Sequence, residues 1–338
     1  MRAETEIDSV LTEYRSILEK ALKEAFSQVY VLDKVPLDTT LQGGKKLRPI
    51  LALLSCETIS GSYGKAIPVA IAYELAHSAS LVQDDIIDDS DLRHDRQTLH
   101  KRFGTSKAIL VSDLMIFEMF SQLASYGDSE LPKERLGDLL RMVSRSARLT
   151  AQGEFLEIGL SSKDSISEGE YLEVAKLKTG SLLAATAASG GIVAGASEEI
   201  VDSLYRFGLN LGIAFQLRDD VLDIVGDVQK LGKPVMKDIQ NNACNMVLVH
   251  AKSKADAQQR HVIDSMLYSK WFTASDLEKL MKVLKDLHSV EYATSLISAY
   301  AEASRNCLEA LPKNSARDKL EQVTYALELR KKSTGFLQ

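Results

Sequence analysis

The sequence predicts an all-α fold, and three observations carry that prediction. Apolar residues recur at spacings of three and four along most of the chain. Only 6 prolines fall in 338 residues, which leaves room for long uninterrupted helices. No segment alternates convincingly between apolar and polar residues, and no internal repeat is visible. The composition, 45% hydrophobic and 26% charged, is that of a folded globular chain.

Taken in order, "IDSVLTEYRSILEKALKEAF" sets Ile7, Leu11, Tyr14, Leu18, Leu22 and Phe26 on one helical stripe. "PVAIAYELAHSASLVQDDIIDD" opens with Pro68, a residue suited to a first helical turn. The same pattern predicts helices over Lys107–Ala124, Leu136–Gly159, Tyr171–Val193, Ile200–Val225 and Ala274–Leu311. Short polar stretches separate them: "YGDSELPKE", "SSKDSISEGE", "GDVQKLGKPVMKDIQNN" and "LPKNSARD". None is a long Gly/Ser-rich or Pro-rich linker, so residues 1–338 read as a single all-α domain. Length alone would have suggested about two.

Several function classes are disfavoured. The net charge of −6 provides no overall basic field for nucleic acid. Cys56, Cys244 and Cys307 are far apart, lack metal-ligand spacing and read as reduced thiols. "MRAETEIDSV" has no apolar core, so a secretory signal is not expected, and a cytoplasmic location is. The apolar run Ser181–Ala196 falls short of a spanning length of about 20 residues. Its small residues predict a tightly packed buried helix and no transmembrane segment.

The chemistry concentrates in "LVQDDIIDDSDLRHDRQT". On a helix Asp84 and Asp88 lie one turn apart on one face, with Asp85 beside them. Like charges so close need a compensating cation. Mg²⁺ suits them, because it takes oxygen ligands, keeps waters and is shared between carboxylates and substrate phosphates. A second D-D-x-x-D, Asp219, Asp220 and Asp223 in "FQLRDDVLDIVGD", also ends an apolar helical run. One such motif reads as a solvated acidic helix end. Two facing clusters would clamp a diphosphate through bridging Mg²⁺ and neutralise it as it departs. Candidate cations are Lys45, Lys46, Arg48, Arg93, Lys178 and Lys233, with Thr179 beside Lys178. His77, seven residues before Asp84, shares its helical face.

"GGKKLRP", "DDIID", "KTG" and "FQLRDDVLD", in this order from Gly43 to Asp238, resemble the trans-isoprenyl diphosphate synthases of the polyprenyl synthetase family. The resemblance implies a helical bundle around a deep apolar cavity, usually a homodimer. It implies head-to-tail condensation of isopentenyl diphosphate with an allylic prenyl diphosphate, with three Mg²⁺ ions per site. It assigns Asp84, Asp85, Asp88, Asp219, Asp220 and Asp223 to the metal. Arg93, Lys178 and Lys233 would hold the allylic diphosphate, and Lys45, Arg48 and His77 isopentenyl diphosphate. Thr179 and Gln216 match polar positions near the reacting carbons. A dry apolar pocket would protect the carbocation formed when the allylic C–O bond ionises.

Ala79 and Ser80 stand about one turn before the first motif, where short-chain family members often carry aromatics. Small residues there predict a product longer than farnesyl, with Phe117, Met119 and Phe120 as candidates for a lower floor. The chain departs from the family in four places. Gln83 replaces a His, and Arg93-His94-Asp95 replaces Arg-Arg-Gly. Asn242 and Ala243 stand where Gly and Lys are expected, and the usual Thr-Leu-Pro is lost from "NNACNMV". Lys230 or Lys237 would have to supply the missing lysine. A class I terpene cyclase and a regulatory subunit of a heteromeric synthase are the alternatives. The intact second D-D-x-x-D argues against both.

At position 94 a permanent bidentate cation becomes a group that titrates near neutrality. Replacing His94→Arg is therefore expected to lower KM for isopentenyl diphosphate, most at alkaline pH. A KM that barely moves across the pH range would remove His94 from this subsite.

Overall fold

The computed structural model describes residues 2–27, 46–93, 96–128, 131–225, 244–267 and 273–327. Helix formation follows the apolar spacing. The helices are α1 (Arg2–Ser27), α2 (Leu47–Ser60), α3 (Ile67–Ile87), α4 (Leu99–Phe103), α5 (Thr105–Ala124), α6 (Lys133–Leu160) and α7 (Glu168–Ala175). They continue with α8 (Ser181–Ala194), α9 (Glu198–Val225), α10 (Met246–Lys254), α11 (Ala257–Leu267), α12 (Ala274–Asp286), α13 (Ser289–Cys307) and α14 (Ser315–Tyr325). Pro68 occupies the first turn of α3, as its fixed φ and missing N–H favour. Ser167, in the polar stretch before α7, caps that helix reciprocally with Glu170.

Three local features differ from the sequence expectation. The predicted helix Tyr171–Val193 is divided by a π turn over Lys176–Gly180, between α7 and α8. The predicted helix Ala274–Leu311 breaks at His288, which takes a left-handed φ of 53° without a glycine or proline to announce it. A two-residue antiparallel pair, β1 (Leu92–Arg93) with β2 (Arg96–Gln97), follows α3. Two residues are too few to leave an alternation in the sequence.

Packing groups the chain into two units. The first comprises the described residues of Met1–Ala147, Leu182–Gly208 and Asn306–Val323. In it the α1 stripe Tyr14, Leu18, Leu22 and Phe26 is buried, as are Ile50–Leu54 of α2. Tyr14 donates to Glu57 at 2.7 Å and accepts from Lys319 at 2.9 Å, which ties α1, α2 and α14 together. The small-residue run of α8 is buried here, as predicted. Gly190 lets α8 lie directly on α2: a Cβ there would sit 2.8 Å from Ser55 Cβ and closer still to the Ala52 carbonyl oxygen.

The second unit comprises the described residues of Arg148–Ser181, Leu209–Arg305 and Thr324–Gln338. Its core joins Tyr171 and Val174, Leu217 and Val221 of α9, Met246 of α10, Ile263 of α11, Leu280 and Leu284 of α12, and Ile297 of α13. Burying each large apolar side chain contributes about 1.5–3 kcal/mol. Helices α6 and α9 contribute residues to both units.

Gly190→Ala is expected to force backbone apart and destabilise the protein by about 2 kcal/mol or more. Urea unfolding checks this. A midpoint unchanged from the parent would mean that α8 and α2 can separate without cost.

Candidate active site

Within the first unit, α3 delivers the first motif at its C-terminal end. Asp84 and Asp85 lie in the last turn, and Asp88 is the C-cap, its N–H bonding the Asp84 and Ile86 carbonyls. This is the negative end of the helix dipole, where each carboxylate is disfavoured by about 0.3–1 kcal/mol. The charges are handled in two ways. Asp85 is buried, and Arg93 on β1 reaches back to it, with Nε 2.9 and 3.0 Å from the two carboxylate oxygens and Nη2 2.8 Å from one. Asp89 and Asp91 both pair with Lys101, at 2.8 and 3.0 Å. Asp84 is half-buried and Asp88 exposed on the shared face.

Below this rim lies a second charged cluster. Arg48 donates from Nη1 to His77 Nε2 at 3.0 Å. Burial, with Arg48, Lys46 and Arg93 nearby, holds the His77 pKa well below its ordinary value. His77 is therefore a neutral acceptor that orients Arg48, and not a cation. Lys46 sits in a left-handed conformation at the start of α2 and pairs with Glu74 at 2.7 Å, both side chains buried. The Lys46 charge is thus taken up inside the protein. Sequence reasoning missed Glu74. Its signal was a charged residue three positions before His77 in an otherwise apolar run.

Of the pocket residues, Ala79 is 1% exposed and its carbonyl accepts from Ser112 on α5 at 3.2 Å. Ser80 is half-buried and bonds the His77 carbonyl. Met119 is buried in α5, whereas Phe117 and Phe120 are 64% and 51% exposed. Those two phenylalanines do not line an interior floor in this chain.

Within the second unit, α9 carries Asp219, Asp220 and Asp223 in its last two turns. Asp220 is 1% exposed and committed to the protein. Gln216 Nε2 donates to it at 3.1 Å and the Met246 N–H at 2.8 Å, while Asn245 Nδ2 bonds its backbone carbonyl at 3.1 Å. Thr179 donates to Gln216 Oε1 at 2.8 Å, which closes a chain from the π turn to α10. Lys178 pairs with Glu154 at 2.6 Å and with Glu157, both on α6. Those two glutamates were also missed. They precede the lysine by about 20 residues and show only an acidic spacing of three.

The two motifs thus share a design: the second aspartate is bound within the protein, and the first and last stand one turn apart. Among the described residues no three acidic, His or Cys side chains converge as a ready-made metal cage. Pairs of aspartate oxygens fit Mg²⁺, which completes its shell with waters and substrate phosphates. Lys45, His94, Asp95, Lys230, Lys233, Lys237, Asn242 and Ala243 lie outside the described residues. Gln83 is exposed.

Lys46→Met leaves Glu74 buried without its partner and is expected to cost about 3–5 kcal/mol of stability. Adding Glu74→Leu should recover most of it. A double variant as unstable as the single one, by chemical denaturation, would show that the pair is not the reason.

The polyprenyl synthetase family matches residues 31–287. The chain is 32% identical over 324 residues to a short chain isoprenyl diphosphate synthase of Methanothermobacter thermautotrophicus, covering 94% of this chain and 97% of that one. It is 32% identical to a geranylfarnesyl diphosphate synthase of Aeropyrum pernix, covering 82% of this chain and 86% of that one. Its structure resembles the crystal structure of geranylgeranyl pyrophosphate synthetase from Pyrococcus horikoshii Ot3, with a TM-score of 0.89 at 30% identity over 97% of this chain and 99% of that one. With two D-D-x-x-D motifs ending helices of an all-α fold and a match over most of its length, the chain belongs to the polyprenyl synthetase family and is a prenyltransferase.

Proposed function

We propose that this enzyme condenses isopentenyl diphosphate with an allylic prenyl diphosphate, head to tail and with Mg²⁺, to give an all-trans product of geranylgeranyl or geranylfarnesyl length. The observation that carries the reading is the pairing of small residues, Ala79 and Ser80, with the acidic rim one turn further along α3. The names of the relatives support the same length range.

In this reading Asp84, Asp88, Asp219 and Asp223 are the metal ligands, and Asp85 and Asp220 position their surroundings. Bound Mg²⁺ would supply charge neutralisation to the leaving diphosphate. Arg93, Lys178 and Lys233 hold the allylic diphosphate as its C–O bond breaks. Arg48, oriented by neutral His77, holds isopentenyl diphosphate together with Lys45. The isopentenyl double bond attacks the allylic carbon, and loss of a proton completes the new prenyl chain. Thr179 and Gln216 stand next to the reacting carbons and orient polar atoms toward them.

The reading extends to assembly and location. Helix α5 exposes Ile109, Leu110, Phe117 and Phe120. With its following turn, Thr105–Gly127, it is also long and apolar enough to cross a membrane by length and composition. Its packing on α3 through Ser112, together with this exposed face, supports a docking helix between two copies of the chain. Cys56, Cys244 and Cys307 form no disulfide, which suits a reducing, cytoplasmic location, and the reading keeps one domain per chain.

The test is a product assay with Mg²⁺, labelled isopentenyl diphosphate and separate allylic starters. A ladder ending at 20 or 25 carbons is expected from relatives of those lengths. Cyclic hydrocarbons without elongation would make it a cyclase, and no turnover from any starter would favour a subunit needing a partner. Ser80→Phe should move the product toward farnesyl with little loss of stability, because Ser80 is half-exposed. Ala79→Tyr should also shorten the product but lower the melting temperature, because Ala79 is packed against α5. An unchanged ladder from folded Ser80→Phe enzyme would refute the pocket assignment.

A further inference from the structure

The first acidic motif ends in a strained turn. Asp88 caps α3, and the chain leaves it through a Schellman arrangement: the Asp89 N–H bonds the Ile86 carbonyl at 3.3 Å and the Ser90 N–H bonds the Asp85 carbonyl at 3.0 Å. Glycine usually fills the left-handed position of such a turn, and here Asp89 does, with φ 50°. Helix α4 and the residue before it grip this turn. Lys101 Nζ is 2.8 Å from Asp89 Oδ1 and 3.0 Å from Asp91 Oδ1. Thr98 donates its hydroxyl to the Ser90 carbonyl at 2.7 Å and its N–H to the Asp91 carbonyl at 3.1 Å. His100 Nε2 lies 3.5 Å from Asp89 Oδ1, and the His100 side chain is 6% exposed. Neither of its ring nitrogens has a hydrogen-bond partner among the described residues. A buried imidazole in that condition lowers stability. An ion pair on an aspartate that is 79% exposed adds little to it. Stability therefore does not account for the arrangement.

We propose that His100 and Lys101 are positioning residues for the first acidic motif: through Asp89 they hold the left-handed turn that keeps Asp88 one helical turn from Asp84. This role rests on the reading of Asp84 and Asp88 as metal ligands made above. Asp88 is the residue at which helix gives way to turn, and it keeps right-handed angles, φ −81° and ψ −5°. The bonds from Asp89 and Ser90 back to Ile86 and Asp85 close the turn around it. If Asp89 leaves the left-handed region, both bonds break and the last turn frays. Asp88 lies on the part that frays, whereas Asp84 lies a turn further in. Lys101 pairs with the Asp89 carboxylate, and His100 brings a second nitrogen within ion-pair distance of it. Carboxylates held in place before the cation arrives bind it more tightly than carboxylates it must order.

The test is the Mg²⁺ concentration that gives half-maximal turnover of the full-length enzyme. It is read beside Mn²⁺ binding, followed by electron paramagnetic resonance with the thiolo analogue of farnesyl diphosphate present. Lys101→Met is expected to raise the half-maximal Mg²⁺ and the Mn²⁺ Kd about tenfold, the low end for outer partners of a metal site. His100→Leu should raise both while the melting temperature holds or rises, because an unpaired buried imidazole gives way to an apolar side chain. In an Asp89→Gly background the left-handed turn forms without a side chain to hold, so both substitutions should lose most of their effect. Effects that persist in full there would show that neither residue acts through Asp89 and would overturn the proposal. A lowered melting temperature with an unchanged Mg²⁺ requirement would also overturn it and leave a merely structural role. Asp84→Asn and Asp88→Asn separate the two levels. If neither shifts the Mg²⁺ requirement, the metal-ligand reading itself fails. If both do and Lys101→Met does not, the positioning role alone fails. Lys101 is at the surface, so Lys101→Met carries the test if His100→Leu does not fold.

Discussion

Carboxylates gathered at the negative ends of apolar helices are the constraint on which the surroundings of each acidic motif depend. Asp84, Asp85 and Asp88 close α3, and Asp219, Asp220 and Asp223 close α9. The like charges repel one another and face the negative end of the helix dipole. The protein answers by binding the second aspartate of each set internally, Asp85 to Arg93 and Asp220 to Gln216 and the Met246 N–H. On each helix the first and last aspartates stand one turn apart, a spacing that suits a hard divalent cation bringing its own waters and phosphate, and Asp223 is itself buried.

The same logic governs the cations. Lys46 is neutralised by buried Glu74, Arg93 by Asp85 and Lys178 by Glu154 and Glu157. Each long side chain is held in place by an ion pair within the protein. His77 joins this scheme as a neutral orienting group, because burial beside three cations removes its proton. The close backbone approaches at Gly190 and Gly153 serve a related end. They bring helices near enough for short, fixed side-chain contacts.

Much of this was legible in the chain. The α1 stripe, the Pro68 start of α3 and the small-residue run of α8 all follow from spacing and residue size. The two D-D-x-x-D motifs were equally visible, because an i, i+4 pair of identical charges is a local property of a helix. Glu74, Glu154 and Glu157 were not. Their partners lie 28, 24 and 21 residues away, and nothing in a one-dimensional pattern says which distant lysine a glutamate meets. The π turn over "KLKTG" and the left-handed His288 were hidden for a different reason: no glycine or proline stands at His288, and the Gly180 that ends the π turn runs straight on into α8.

Local periodicity, residue size and charge spacing by themselves determined the helical class, the buried and acidic segments, and the chemistry those segments would serve. The tertiary structure alone decided how each charge is used. It made Asp85 and Asp220 internal anchors, Lys46 half of a buried pair, Lys178 a lysine held by two glutamates, and Phe117 and Phe120 surface residues. The physical reason is range. Helical pattern is set by neighbours three and four residues apart, whereas desolvation and ion pairing depend on which helices pack together, and that is written in no single stretch of sequence.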